Sequence, residues 1–275
     1  MNLIARGRLQ KMPTSHQSPV AYTLRVGDEN ISVNLLVGQK LRIVYEHEIR
    51  CSNCQRLTKK SFNQGFCYPC FQKLASCDKC IMSPELCHYA EGTCREPEWG
   101  ETHCMQPHIV YLANSTGLKV GITRGTQVPT RWMDQGAIQA LPIARVSSRQ
   151  LSGLIEDKLK TWATDRTNWR KMLKNDVEAL NLSEARDELY ENVSAYLSDL
   201  AKQFPDERIE WLVAGETYDF DYPHIAWPEK AKTYNLDKTP EIEDTLIAIK
   251  GQYLIFENAA LNIRKYGSYG VSLYA

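Results

Sequence analysis

All nine cysteines of this 275-residue chain fall between positions 51 and 104, and three pairs among them have the Cys-x-x-Cys spacing. Disulfides would account for such a cluster in a secreted chain. The N-terminus, Met1 to Lys11, lacks the apolar run of a signal peptide, and no stretch approaches the ~20 apolar residues of a membrane span. A cytoplasmic protein with no membrane partner is therefore expected, and in a reducing compartment clustered thiols point to metal.

Cys51 and Cys54, a twelve-residue gap, then Cys67 and Cys70 have zinc-ribbon or treble-clef-like spacing. Each pair makes a tight knuckle, and two knuckles together offer four thiolates in a tetrahedron. Binding energy of ~10 kcal/mol or more lets such a loop fold without a large core. Five more sulfurs follow, on Cys77, Cys80, Cys87, Cys94 and Cys104, with His88 and His103 beside two of them. Cys77, Cys80, Cys87 and Cys94 are expected to form a second zinc site, because Cys104 lies beyond the long excursion from Arg95 to Thr102; Cys104 replacing Cys87 or Cys94 is the alternative. An iron-sulfur cluster would also take four thiolates, but zinc needs no redox partner. Closed four-ligand sites are structural, so neither zinc is a candidate for catalysis.

Strand-like alternation marks both ends of the chain. Near the N-terminus it runs from Ala21 to Val26, Ile31 to Val37 and Lys40 to Glu46; near the C-terminus it includes 244–250, 251–256 and 261–264. Runs 40–46 and 251–257 share an apolar-polar cadence, so the two ends are expected to pair as one small barrel with other modules inserted. The predicted organisation is α+β. An N-terminal β region spans 1–48, a cysteine-rich zinc-binding region 49–106, a central αβ unit 107–176, a helical connector 177–204 and a C-terminal β region 205–275. In the connector, Asn181 with Glu184 begins a helix whose Leu189, Val193, Leu197 and Leu200 share a stripe.

The central unit carries the chemistry. Runs 108–113 and 118–123 are rich in β-formers and flank the turn Asn114-Ser115-Thr116-Gly117, which reads as a hairpin. Pro129 suits the start of a helix carrying Arg131 and Trp132, and Ala140 to Val146 makes a third strand. Ser148 then caps a helix in which Leu151, Ile155, Leu159 and Trp162 line a buried face and leave Glu156 on its flank.

At these residues the chain resembles the GIY-YIG nuclease superfamily. Ile109-Val110-Tyr111 matches the first motif, Lys119-Val120-Gly121 the second, Arg131 the helix arginine and Glu156 the metal-binding carboxylate. The pattern departs where Ile109 replaces a glycine and Lys119 a tyrosine, with seven residues between Tyr111 and Lys119. The resemblance implies a GIY-YIG-like αβ sandwich and a divalent-metal-dependent endonuclease. In it Glu156 would hold Mg or Mn, Arg131 would pair with the phosphate, and Tyr111 would orient or deprotonate a water. The whole arrangement also looks like a family of uncharacterised bacterial proteins.

The net charge of zero hides a division: residues 119–176 carry 11 basic and 5 acidic groups, residues 177–275 carry 9 and 18. The basic excess sits on the central unit, where a phosphate backbone would be drawn, so nucleic acid, DNA or RNA, is the expected partner. Arg166, Arg170, Lys171 and Lys174 with Trp169 could add backbone contacts. A catalytically inactive RNA-, DNA- or ribonucleoprotein-binding module, or a protein-interaction scaffold, are the alternatives.

Overall fold

A computed structural model describes residues 1–164 and 166–275. The chain opens with five strands, β1 (Leu3–Arg8), β2 (Thr14–Ser15), β3 (Ala21–Val26), β4 (Glu29–Ser32) and β5 (Lys40–Ile49). The cysteine-rich stretch follows with two short helices, α1 (Tyr68–Lys73) and α2 (Pro97–His103). Next come β6 (His108–Asn114), β7 (Leu118–Arg124), α3 (Thr130–Asp134), β8 (Gln139–Val146), α4 (Arg149–Leu159), α5 (Trp169–Leu173) and α6 (Leu182–Gln203). Six strands close the chain: β9 (Ile209–Trp211), β10 (Tyr218–Asp219), β11 (Glu241–Lys250), β12 (Tyr253–Phe256), β13 (Ala260–Asn262) and β14 (Tyr269–Tyr274).

Alternation in β5 sends Leu41, Ile43 and Tyr45 into the core and leaves Lys40 and His47 in solvent. The strand lies between β11 and β14, with Ile43 opposite Ile242 on one side and Leu273 on the other, so the two ends of the chain share one sheet. Its order, β1-β14-β5-β11-β12-β13, is open at both edges, so the expected barrel does not close. Nor does 251–257 pair with β5: the two-residue turn at Gly251, φ +61°, folds β12 straight back onto β11. The expected strand over Ile31 to Val37 also ends early. After Ser32 it coils into a 3-10 turn, because the Asn34 amide accepts from the Tyr22 N–H and donates to the Val20 carbonyl, each at 2.9 Å.

The central sheet has the order β10-β8-β6-β7, with β9 also on β8. The stretch 205–275 is thereby divided: its first two strands complete this sheet and its last four join the terminal one. In the β6–β7 hairpin, Asn114 Oδ1 accepts from the Gly117 N–H at 3.1 Å, and Gly117 has φ +122°. Strand β6 is paired on both sides and buried along its whole length. Val110 and Leu112 pack against Leu151, Ile155 and Leu159 of α4 and Leu189, Val193 and Leu197 of α6. Ile109, Tyr111 and Ala113 point the other way, to Trp132 and the core of the terminal sheet. At roughly 1.5–3 kcal/mol per fully buried aliphatic or aromatic side chain, this strand is an anchor common to both halves.

Ser148 caps α4 as expected, its Oγ accepting from the Leu151 N–H. Trp162 leaves the predicted buried stripe and is 42 % exposed, because α4 ends at Leu159. Asn181 caps α6 through the Glu184 N–H. Among the described residues no helix is long and apolar enough to cross a membrane.

Candidate functional site

The two expected knuckles meet. Cys51 lies at the end of β5 and Cys54 in the turn behind it, while Cys67 caps α1 and Cys70 sits in its first turn. The four Sγ atoms lie within 4.8 Å of one another, and Cys54 and Cys67 are 3.7 Å apart. A Zn–S bond of ~2.3 Å in a regular tetrahedron sets sulfurs about 3.8 Å apart, so this cluster can hold a zinc ion. Burial alone would raise the Cys51 thiol, but hydrogen bonds from the backbone of Cys54, Cys67 and Asn53 bring it down to about 6.

The second expected set, Cys77, Cys80, Cys87 and Cys94, is not gathered in that way. Cys77 and Cys80 lie in successive 3-10 turns, Ala75–Cys77 and Lys79–Ile81, broken at Asp78 by an extended backbone with ψ 157°. Cys77 is buried beside Asn63, whose Nδ2 donates to its Sγ at 3.4 Å. Cys80 instead stands within 4.8 Å of ligand atoms of Asp78 and His88. Asp78 is already engaged: it accepts from Arg95 Nε at 2.8 Å and from the Lys79 N–H.

Tyr111, Lys119, Arg131 and Glu156 all line one cavity of about 530 Å³. Tyr111 and Lys119 come from neighbouring strands of the hairpin, Arg131 from α3 and Glu156 from α4. Tyr111 faces Gly121 across the β6–β7 ladder, and a Cβ there would come within 2.6 Å of the phenol oxygen. The glycine of the second motif makes room for the tyrosine of the first. The phenol is fully buried and donates to Gln135 Oε1 at 3.0 Å; Lys119 Nζ donates to the same oxygen at 3.1 Å. Burial pushes the Tyr111 phenol up, against the Arg131 guanidinium, which draws it down. The phenol's hydrogen bond goes to Gln135, and burial holds that proton in place.

Residues not anticipated from the sequence complete the cavity. Lys11 and Arg264 come from the terminal β layers, Ile81, Met82 and Pro84 from the cysteine-rich stretch, and Arg124, Arg149 and Lys160 from the central unit. Its lining holds seven Lys or Arg and, among the described residues, two carboxylates, Asp134 and Glu156. Asp134 is paired with Lys11 and accepts from Gln252 at 3.0 Å. Burial lowers both Arg149 and Arg264, and the charge of Arg131 lowers each further. Arg131 thus repels both Arg149 and Arg264 across one space, an arrangement an anion relieves.

Helix α4 arms the cavity by periodicity. Arg149, Gly153, Glu156 and Lys160 recur at spacings of four, three and four, on the side away from the core stripe of Leu151, Ile155 and Leu159. Gly153 lies directly under the cysteine-rich stretch: a Cβ there would meet Pro84 Cβ at 2.5 Å and the Glu85 nitrogen at 2.7 Å. Arg166, Arg170, Lys171 and Lys174 do not line the cavity; Arg170 stacks on Trp169, 4.5 Å from its ring centre.

The sequence model of a family described as "Protein of unknown function (DUF2797)" matches residues 38–271. No curated protein and no solved structure matches the chain.

Proposed function

The chain belongs to the DUF2797 family, whose description names no activity, and we propose from its own residues that it is a nucleic-acid-binding protein that hydrolyses phosphodiesters with a divalent cation. The observation that carries this reading is the meeting of Arg131, Arg149 and Arg264 in the cavity that also holds Tyr111, Lys119 and Glu156. Guanidiniums grip phosphate oxygens through paired N–H donors and stabilise the charge that grows on them during displacement. The GIY-YIG-like order of hairpin, helix arginine and helix carboxylate supports the same assignment.

Glu156 would be the hard oxygen ligand for Mg or Mn, with the substrate phosphate supplying the rest of the anionic charge such an ion requires. A bound ion of this kind lowers the pKa of a coordinated water and neutralises the leaving oxygen. The Tyr111 phenol gives its one hydrogen to Gln135 Oε1, so its oxygen is aimed to accept a hydrogen bond that orients a water. Lys119 and Arg131 hold the phosphate from either side of the phenol.

Cys51, Cys54, Cys67 and Cys70 hold a structural zinc that fixes the fold of their loop. All nine cysteines are unpaired thiols, which suits work in the reducing cytoplasm. A second reading, a module that binds nucleic acid without cutting it, is favoured by one observation: the buried phenol leaves Tyr111 unsuited to act as a base. Incubating purified protein with a panel of single- and double-stranded DNA and RNA, with Mg²⁺ or Mn²⁺, decides between them. Cleavage by wild type that Glu156→Gln abolishes supports the hydrolase, binding without cleavage supports the module, and neither refutes both.

A further inference from the structure

We infer that Cys80, Cys87, Cys94 and Cys104 form a second tetrathiolate zinc centre seated on the first turn of α4, with Cys77 left outside it. This goes beyond the proposed activity and does not depend on it. Three segments of the cysteine-rich stretch are tied to the same two residues of that helix. The Arg149 guanidinium donates to the Ile81 carbonyl at 2.8 Å, next to Cys80. The Arg149 N–H donates to the Cys104 carbonyl at 2.8 Å, and Gln150 Nε2 to the Cys87 carbonyl at 3.3 Å. The fourth thiol is brought in through α2. Cys94 Sγ lies 3.5 Å from the Cβ position of Gly100, and the Gly100 carbonyl accepts from the Cys104 N–H at 2.7 Å.

The electrostatics agree with that convergence. After burial and Asp78, the charges of Cys87, Cys104 and Cys94 all weigh on the Cys80 thiol, and those of Cys87 and Cys94 also weigh on Cys104. Among the described residues no three of these four thiols lie within 4.8 Å of one another, so they stand wider than the first set. The ion would draw four short loops inward against α4, in a region with little apolar core of its own. Asp78, held by Arg95, serves as a partner for His88 at 3.4 Å rather than as a ligand.

Elemental analysis of the purified full chain for zinc and iron tests this. Wild type should carry two equivalents of zinc, Cys87→Ser, Cys94→Ser and Cys104→Ser one each, and Cys77→Ser and His88→Ala two. Retention of two equivalents by Cys104→Ser, loss of one by Cys77→Ser or His88→Ala, or iron in place of zinc would overturn the assignment. Should Cys104→Ser fail to fold, Cys104→His keeps a ligand at the same point; it should fold and hold two equivalents, and one equivalent in a folded variant would refute the site. Nucleic-acid cleavage plays no part in these readings, so the proposed activity can fail while this centre stands.

Discussion

Replacing Gly153 by alanine sets two effects of opposite sign against each other at one atom. In an exposed helix the change would stabilise by about 1 kcal/mol, the difference in helix propensity. Here the new Cβ would lie 2.5 Å from Pro84 Cβ and 2.7 Å from the Glu85 nitrogen. Neither is the end of a flexible side chain: one belongs to a ring and the other to backbone. Overpacking of that kind costs about 1–3 kcal/mol, so a net loss of up to ~2 kcal/mol is expected rather than a gain. The strain falls on the contact that holds Ile81, Met82 and Pro84 over the cavity, so nucleic-acid binding should weaken together with stability. Urea unfolding and fluorescence-anisotropy titration of wild type and Gly153→Ala measure both. An alanine variant more stable than wild type by ~1 kcal/mol, with unchanged binding, would refute the docking of the cysteine-rich stretch on α4.

Arg131→Ala should weaken binding by about 1.5–3 kcal/mol, the worth of hydrogen bonds to a charged group, and flatten its salt dependence in titrations across salt; affinity equal to wild type removes Arg131 from the site. Glu156→Gln should bind nucleic acid at least as well as wild type, through lost anionic repulsion, while cleavage with Mg²⁺ or Mn²⁺ falls by orders of magnitude in a gel assay. Cys54→Ser should lose one zinc equivalent and become open to proteolysis within 51–104, read by mass spectrometry of the fragments; full zinc content would disprove the first centre. Lys250 is buried between Tyr222 and Trp227, and burial brings its ammonium down from 10.5 to about 7. Between those values the unfolded chain holds the proton and the folded chain does not, so this residue makes stability rise with pH across that window. Lys250→Met should therefore be the more stable protein near neutrality, by on the order of a few kcal/mol, with its advantage shrinking toward pH 10.5; an advantage constant with pH in denaturant titrations would contradict this.

Spacing and periodicity determined whatever depends on residues close in the chain. The knuckles at 51–54 and 67–70, the hairpin at 108–124, and the caps at Ser148 and Asn181 are all local arrangements, and each stands where its motif predicts. The resemblance also selected four residues that do line one cavity. Other features turn on which distant segments pack together, and no local pattern specifies that. Cys77 and Cys80 look like a third knuckle, yet extended Asp78 divides the two 3-10 turns that carry them, and Cys77 is engaged by Asn63 while Cys80 stands by Asp78 and His88. Gln135 bridges Tyr111 and Lys119 only because α3 lies over the hairpin, and Lys11 and Arg264 reach the cavity only because both ends of the chain share a sheet beside it. The barrel fails for a related reason: an alternating strand is equally suited to any partner with a matching apolar face, and the turn at Gly251 chose β11 for β12. Local chemistry is written in short spacings, whereas the charge of the cavity depends on long-range packing, and that was decided only in the folded molecule.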